Sequence, residues 1–474
     1  MKKPLFFKKI NHIHLTGIKG VGMTALACCL EDLGIKISGS DVEEVFVTDK
    51  VLKQRKINWR VGFGAKNLRP KPDLLITTGA HGGLTNPEVV AAGEMKIPVL
   101  THAQALGKLM EGKTGISVCG VGGKTTTSSM IATVLEKAGR KPSWAIGVAE
   151  IFPLGVPGKY DNGSEFVAEA DEYVNSPGVD NRPRFSFQNP KIIVVTNIEY
   201  DHPDIYASLE QTKKTFASFF QKIPPDGLLV ACADNPNTMA VAKNFSPILQ
   251  TYGFSPQADW WVEKFYFGAG QVIFNLKHKG ITIEEVRIKV PGRFNILNST
   301  AAFAVGTFLG IDAKTIKKGL AEFAGTKRRF EFIGEVRGIK LYDDYAHHPT
   351  EIKQVLLAAK KWFPENRLLV VFQPHTYSRT KALFSEFGRA FTGANLVVIT
   401  EIYASAREKD DLGMSGKLLA QEVSRHHPRV FYKKDEEEVV KFLGKEAKPG
   451  DIIFTIGAGN IFSWHKNILK SLKN

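Results

Sequence analysis

The sequence predicts an α/β protein of three domains, and three observations carry that prediction. Short apolar runs bounded by glycine alternate with helix-length amphipathic segments through most of the chain, the pattern of parallel βαβ units. Two of these runs, beginning at residues 13 and 116, open into glycine-rich turns followed by helices, so each starts a nucleotide-binding type of sheet. A third strand–helix series follows the basic segment 327–329, where a fresh strand is expected over 339–342. With 474 residues the chain has room for two to four cores, and glycine- and lysine-bearing hinges divide it into 1–111, 112–325 and 326–474.

Taken in order, the first domain is expected to hold buried strands at 13–17, 36–39 and 74–77, and the second at 116–119, 166–168, 192–196 and 228–232. The third holds 368–372, 396–400 and 452–456. Each is a run of Ile, Leu, Val or Phe closed by small or polar residues, as a strand covered on both faces requires. Between 265 and 290 the texture changes to alternation, with Val272, Phe274 and Leu276 and then Ile281, Ile283 and Val286. That alternation predicts an antiparallel hairpin or meander inserted between helical regions.

Composition bounds the function. At 43% hydrophobic and 23% charged residues the chain is an ordinary folded protein, not a disordered chain or a coiled coil. No apolar run approaches 18 residues and no signal peptide is visible, so a cytoplasmic protein without membrane insertion is expected. Cys28, Cys29, Cys119 and Cys232 lack metal-type spacing and are read as buried and reduced. The charge of +15 favours anionic partners. Because the basic residues are scattered and never interleaved with aromatics, phosphorylated small molecules are expected rather than nucleic acid.

The strongest motif is Cys119-Gly120-Val121-Gly122-Gly123-Lys124-Thr125-Thr126-Thr127, between a strand and a helix. Its glycines let backbone N–H groups curl round phosphate oxygens, the helix start adds positive potential, Lys124 neutralises phosphate charge and Thr125 is placed to ligate Mg²⁺. The bland alternative is a glycine turn with a capping threonine. Downstream, Glu169-Ala170-Asp171-Glu172 and Asn197-Ile198-Glu199-Tyr200-Asp201-His202 follow strands that end at the same edge, where a metal must be held against ATP. Glu172 and His202 are the candidate ligands. A solvated acidic strand end is the alternative for the first cluster.

Near the N-terminus, Gly17-Ile18-Lys19-Gly20-Val21-Gly22-Met23 and then Ser40-Asp41 resemble a dinucleotide fingerprint in altered glycine order, pointing to a nucleotide diphosphate or to a bare tight turn. Further on, Asn295 opens a helix with its amide placed to read an adenine edge. Two polar stretches follow strands, one holding Asp344, His347 and His348, the other His375 and Arg379.

Collectively these residues resemble the Mur ligases, and among them the branch that adds the first residue of the peptidoglycan stem peptide. GIKGVGM, SGSD, TNPEVVAA, GGKTTT, EADE, TNIEYDHPD, VPGRFNILN, GTKRRFE, DDYAHHPTEI, FQPHTYSRT and GAGN occur in the family's order. The resemblance implies a UDP-binding Rossmann-like domain, a central phosphate-loop ATPase domain and a closing Rossmann-like domain. It implies ATP-dependent ligation of L-alanine to the carboxylate of UDP-N-acetylmuramate through an acyl phosphate, with Mg²⁺, by a monomer or weak homodimer. By position, Gly120, Gly122, Gly123, Lys124, Thr125 and Thr126 hold ATP phosphates, and Thr125, Glu172 and His202 serve the metal. Asn295, Arg329 and Asp344 contact the nucleotide. Gly17, Lys19, Gly20, Gly22, Met23, Ser40 and Asp41 take the UDP-sugar. His347, His348, His375 and Arg379 surround the amino acid, and Lys124, Arg329 and one histidine of the 347–348 pair are the catalytic groups.

The chain departs from the family pattern at three places. Val121 and Gly122 stand where the phosphate loop usually has Thr and His, Lys19 replaces a glycine, and a Tyr173-Val174-Asn175-Ser176-Pro177 run follows EADE. Three rival readings stand beside the ligase: a relative that attaches a whole tripeptide to the same sugar nucleotide, an NAD-dependent dehydrogenase using the residue 17 loop, and a catalytically impaired nucleotide-binding homologue. The Lys124 loop and the second sheet speak against the dehydrogenase.

Overall fold

The computed structural model describes residues 3–245, 248–268, 270–404, 408 and 410–473. Three large sheets occupy residues 12–101, 114–288 and 331–456, with two two-stranded ones beside them, confirming the mixed α/β class. In the first, five parallel strands run in the spatial order Trp59–Val61, Lys36–Asp41, His12–Thr16, Leu74–Thr77 and Val99–Thr101. The order reverses beside His12–Thr16, and it is there, beyond the carboxyl ends of the strands, that α/β sheets hold ligands.

The central sheet has ten strands, with Thr114–Cys119 between Ile192–Val195 and Glu165–Glu169. Ile116, Val118, Val167, Ile192 and Val194 are fully buried beneath the helices Lys124–Lys137 and Arg293–Phe308, while Phe185, Phe216, Phe219 and Phe220 cover the opposite face. Burial on both faces is why these strands read as continuous apolar runs. The alternating region differs from expectation in two ways. It begins at Trp260, and it is no separate insertion: Trp260–Gly268 pairs parallel with Ile248–Gly253, so the meander through Gln271–His278 and Ile281–Ile288 extends the central sheet. A bulge between Phe274 and Leu276 then shifts the pairing; Val286 and Ile288 face the core and Ile281 lies exposed.

The last sheet orders Glu331–Val336, Ile339–Asp344, Ile452–Ile456, Leu368–Phe372, Leu396–Ile399 and Val430–Tyr432, parallel except for its first pair. The first two sheets share a core, because Phe166, Ala168, Ala145 and Tyr160 cluster with Leu26, Ala25 and Ile13. All four cysteines are free and buried, and burial pushes their thiols up. No helix among the described residues is long and apolar enough to cross a membrane.

Beneath the first sheet's ligand edge lies a closed polar network. The buried Glu88 carboxylate accepts bonds from Thr16 and Ser40 hydroxyls and the Asn67 amide, each at 2.6 Å, and pairs with His14 at 3.2 Å. Burial alone would raise its pKa, but these four partners outweigh burial and bring it down to about 2 from 4.5. The ionised form is therefore favoured in the fold, a contribution of about 3 kcal/mol that is complete above pH 4.5 and vanishes as pH falls towards 2. Glu88→Gln is expected to lower stability at pH 7 and to flatten the acid side of the stability curve. Urea unfolding at pH 7 and pH 3.5 measures both.

Candidate active site

Three loops emerge side by side at the carboxyl edge of the central sheet: the glycine loop after Cys119, the acidic run after Glu169 and the segment after Val195. Gly120 and Gly123 take φ of +127° and +87°, and a Cβ on Gly123 would meet Asn298 Oδ1 at 2.9 Å. Only glycine closes this turn. Asn197 braces the loop, its Oδ1 accepting from Gly122 N–H at 3.0 Å and its Nδ2 donating to Gly122 O at 3.1 Å, while the Thr196 hydroxyl donates to the same carbonyl at 2.6 Å.

Lys124 is the first residue of the helix that follows. Its Nζ donates to Gly120 O at 2.5 Å and to Glu172 Oε2 at 3.1 Å. Burial would depress its pKa, yet Glu172, Asp171 and Glu169 raise it, so the ammonium is held charged. Burial raises Glu169 and Glu172 despite that neighbour. Asp171 escapes because Arg184, paired with it at 2.7 Å, and Lys124 outweigh its burial.

Glu172 and His202 come together, and Asp201 joins them: ligand atoms of all three lie within 4.8 Å of one another. Two carboxylates and an imidazole beside a phosphate loop fit a divalent cation that takes its remaining ligands from phosphate and water. His202 adopts φ +57° and packs edge-on against Tyr173 at 4.8 Å. Thr125 lines the site, but its hydroxyl engages Glu169 instead of this cluster.

Two cavities meet at the loop. Asn295, Asn298, Phe294, Asp344 and His348 line the smaller one. Lys124, Glu172, His202, His347 and the Gly20–Met23 turn line the larger. Val121, Gly123, Thr125, Arg329 and Glu351 line both. Asn295 is oriented by its own bonds, donating to Pro291 O at 2.6 Å and accepting from Asn298 at 3.0 Å. Burial lifts Asp344 to about 6 although Arg329 opposes it.

The histidine pair divides its work. His347 donates Nδ1–H to Tyr345 O at 3.1 Å, which leaves Nε2 as the accepting nitrogen, and burial together with Arg379 brings its pKa down to about 4. His348 caps the helix Pro349–Trp362, accepting from Thr350 N–H at 3.3 Å through Nδ1; its buried Nε2 has no hydrogen-bond partner among the described residues.

Four expectations need correction. Lys19 does not reach the ligand cleft: it is 1% exposed, donates to the carbonyls of Val42 and Glu44, and lies 4.9 Å over the Phe46 ring. A long side chain here is buried as a strut because the backbone carbonyls of the 42–44 turn need a donor. Ser40 is spent on Glu88, and Asp41 on the N–H groups of Lys19 and Val42. Gly17, at φ +77° against the Thr78 side chain, shapes the turn without lining either cavity. Arg379 is buried against Asp201, with Nε and Nη2 each 3.1 Å from Oδ1, and contacts His375 at 3.3 Å. Neither His375 nor Arg379 lines the two cavities.

Arg328 has no role that its local sequence announces. Its guanidinium binds Asp343 at 2.8 Å, Gly457 O at 2.6 Å and Gly459 O at 3.2 Å, holding the 457–460 turn against the larger cavity. The motif named both arginines, and only the fold shows which faces inward.

A phosphate loop braced by asparagine, a carboxylate–imidazole cluster beside it and two cavities joined across it define a phosphate-handling α/β enzyme class. Comparison with known proteins narrows this. Residues 12–114 match the Mur ligase family catalytic domain, 118–306 the Mur ligase middle domain and 328–459 the Mur ligase glutamate ligase domain. The chain belongs to the Mur ligase family. It is 41% identical over 470 residues to a UDP-N-acetylmuramate–L-alanine ligase of Geobacter sp. (strain M21), covering 98% of this chain and 99% of the relative. A namesake from Carboxydothermus hydrogenoformans is 41% identical over 96% of the chain and 95% of its own length. Among solved structures, the UDP-N-acetylmuramate–alanine ligase of Thermotoga maritima superposes with a TM-score of 0.81 at 27% identity, covering 98% of this chain and 99% of that one.

Proposed function

We propose that this chain joins L-alanine to the carboxylate of UDP-N-acetylmuramate with cleavage of ATP, a cytoplasmic step of peptidoglycan precursor synthesis. The observation that carries this reading is the meeting of the two cavities at Gly123, Thr125 and Arg329, with Lys124 beside them on the wall of the larger. A nucleoside triphosphate in the smaller cavity and a sugar nucleotide in the larger would present γ-phosphate and carboxylate to each other across the loop. The division at residues 111 and 325 belongs to the same reading, with one domain for each ligand and a third closing over both.

A carboxylate is a poor electrophile, so it first takes the γ-phosphoryl group, giving an acyl phosphate and ADP; the amine then displaces phosphate. Both steps gather negative charge on crowded oxygens. Lys124 and Arg329 supply fixed positive charge where it gathers. Glu172, Asp201 and His202 would hold Mg²⁺, which when bound offsets charge on the phosphate oxygens. The attacking amine must shed a proton, and His347 is the better base of the pair. It faces the larger cavity with Nε2 free to accept and stays neutral at pH 7, whereas His348 already accepts a bond as a helix cap.

Phosphate release and product mass, measured with UDP-N-acetylmuramate and a panel of acceptors, test the reading. L-Alanine is expected to give the highest kcat/KM. Glycine should follow tens to hundreds of times lower, because one methyl group in a pocket is worth roughly 1–3 kcal/mol. Preference for L-Ala-γ-D-Glu-diaminopimelate, or phosphate release independent of the sugar nucleotide, would overturn it.

A further inference from the structure

We propose that Arg184, carried on the central domain, completes the diphosphate site of the N-terminal domain, so that the sugar nucleotide is gripped by two domains at once. The assignment rests on the substrate reading above for the identity of the ligand. Its own support is local. The run that departs from the family pattern after EADE folds into a hairpin, Val174–Ser176 against Asp180–Pro183, and Ser176 Oγ accepts from Leu84 N–H of the N-terminal domain at 3.1 Å. This docking brings Arg184, just beyond the hairpin, to the carboxyl edge of the strand Leu74–Thr77.

Gly79 makes the approach possible. A Cβ at Gly79 would stand 2.9 Å from Arg184 Nη2 and 2.7 Å from the backbone Asn175 O, so a side chain there would push aside both the guanidinium and the hairpin beside it. Across the same cleft lies the turn that starts the helix Val21–Asp32. His102 touches it: a Cβ on Gly22 would lie 3.0 Å from His102 Nε2. Arg184, Gly79, His102 and the Gly20–Met23 turn all line the larger cavity.

The chemistry of this wall suits a diphosphate. The helix start offers unpaired backbone N–H groups and positive potential, and Gly20, where a Cβ would meet only Gly17 O at 3.5 Å, leaves room for phosphate oxygens to reach them. Among the described residues the Arg184 guanidinium uses only Nη1 in a hydrogen bond, to Asp171 at 2.7 Å. Asp171 thereby anchors a guanidinium that lines the larger cavity with Nε and Nη2 uncommitted to other hydrogen bonds among the described residues, and a planar fork is the geometry that pairs with two phosphate oxygens. Burial and Arg184 bring the His102 pKa down to about 4, so its ring is a neutral neighbour and the arginine is the charge of this wall.

The test is calorimetric binding of UDP to the full-length enzyme, with UDP-N-acetylglucosamine and UDP-N-acetylmuramate alongside. Arg184→Gln is expected to weaken all three at least tenfold and to raise KM for the sugar nucleotide, leaving KM for ATP within twofold. Arg184→Lys should fall between, since it keeps the charge and loses the fork. Unchanged UDP affinity in Arg184→Gln would overturn the assignment. So would a loss confined to UDP-N-acetylmuramate, because the guanidinium would then be reading the sugar's carboxylate. If Arg184→Gln does not fold, Gly79→Val displaces the guanidinium while retaining it, with the same expected loss. Failure of the unsubstituted enzyme to bind UDP would fall on the substrate reading itself, and the diphosphate assignment would go with it.

Discussion

Lys124→Ala is expected to reduce ligation a hundredfold or more while the protein remains folded. The rate effect follows from position: the ammonium lines the larger cavity beside Gly123 and Thr125, which line both, and a fixed charge aimed at a transferring phosphoryl group there is worth about 3 kcal/mol. The stability effect needs separate reasoning, because Lys124 is also the partner of a buried carboxylate, Glu172, at 3.1 Å. Removing one member of a buried pair commonly costs about 3–5 kcal/mol when the other must stay charged. Glu172 need not stay charged. Burial already raises its pKa and Lys124 opposes that rise, so loss of Lys124 moves the carboxyl further towards its neutral form and part of the penalty is avoided. Single-turnover phosphate release and a thermal melt separate the two effects. Near-normal turnover in Lys124→Ala would sink the role assigned to the loop.

Arg379→Met is expected to have the larger effect on stability. Asp201 and Arg379 are 6% and 7% exposed and join the central domain to the C-terminal one, so the substitution strands a carboxylate in the interface. Unlike Glu172, Asp201 is held far below the usual carboxylate range, where His202 and Arg379 outweigh its burial, and it will not readily take a proton at pH 7. A cost of about 3–5 kcal/mol is expected, most of it recovered in the double variant Arg379→Met/Asp201→Asn. Because Asp201 belongs to the candidate metal cluster, Mg²⁺ with ATP should restore more stability to Arg379→Met than it adds to the unsubstituted protein. Denaturant unfolding of the unsubstituted protein, Arg379→Met, Asp201→Asn and the double variant, with and without Mg²⁺ and ATP, checks this. If stability is unchanged and only KM for L-alanine rises, Arg379 serves the amino acid carboxylate, as the family resemblance implies, and the ion pair adds nothing to the interface.

By itself the sequence determined whatever depends on local chemistry. Strands buried on both faces must be apolar throughout, so runs such as 192–196 and 368–372 declared themselves. The Gly120–Lys124 turn was equally legible, because a backbone that wraps phosphate needs glycines at fixed spacing before a helix. Residue types carried the candidate metal cluster as far as Glu172 and His202. Tertiary structure decided the partners. Lys19, in a loop that reads as ligand-facing, turns inward because the carbonyls of Val42 and Glu44, more than twenty residues away, accept its protons. Arg379 and Asp201 are 178 residues apart in the chain, and no local pattern announces that one neutralises the other. The strand Ile248–Gly253 escaped notice because its residues are mostly half-exposed and blur the apolar run, yet it joins the meander to the central sheet. The hairpin that delivers Arg184 reads only as a departure from a motif. A side chain's charge and reach are written in its identity, but which groups it meets is set by how three sheets pack, and that is a sum over contacts that no single segment contains.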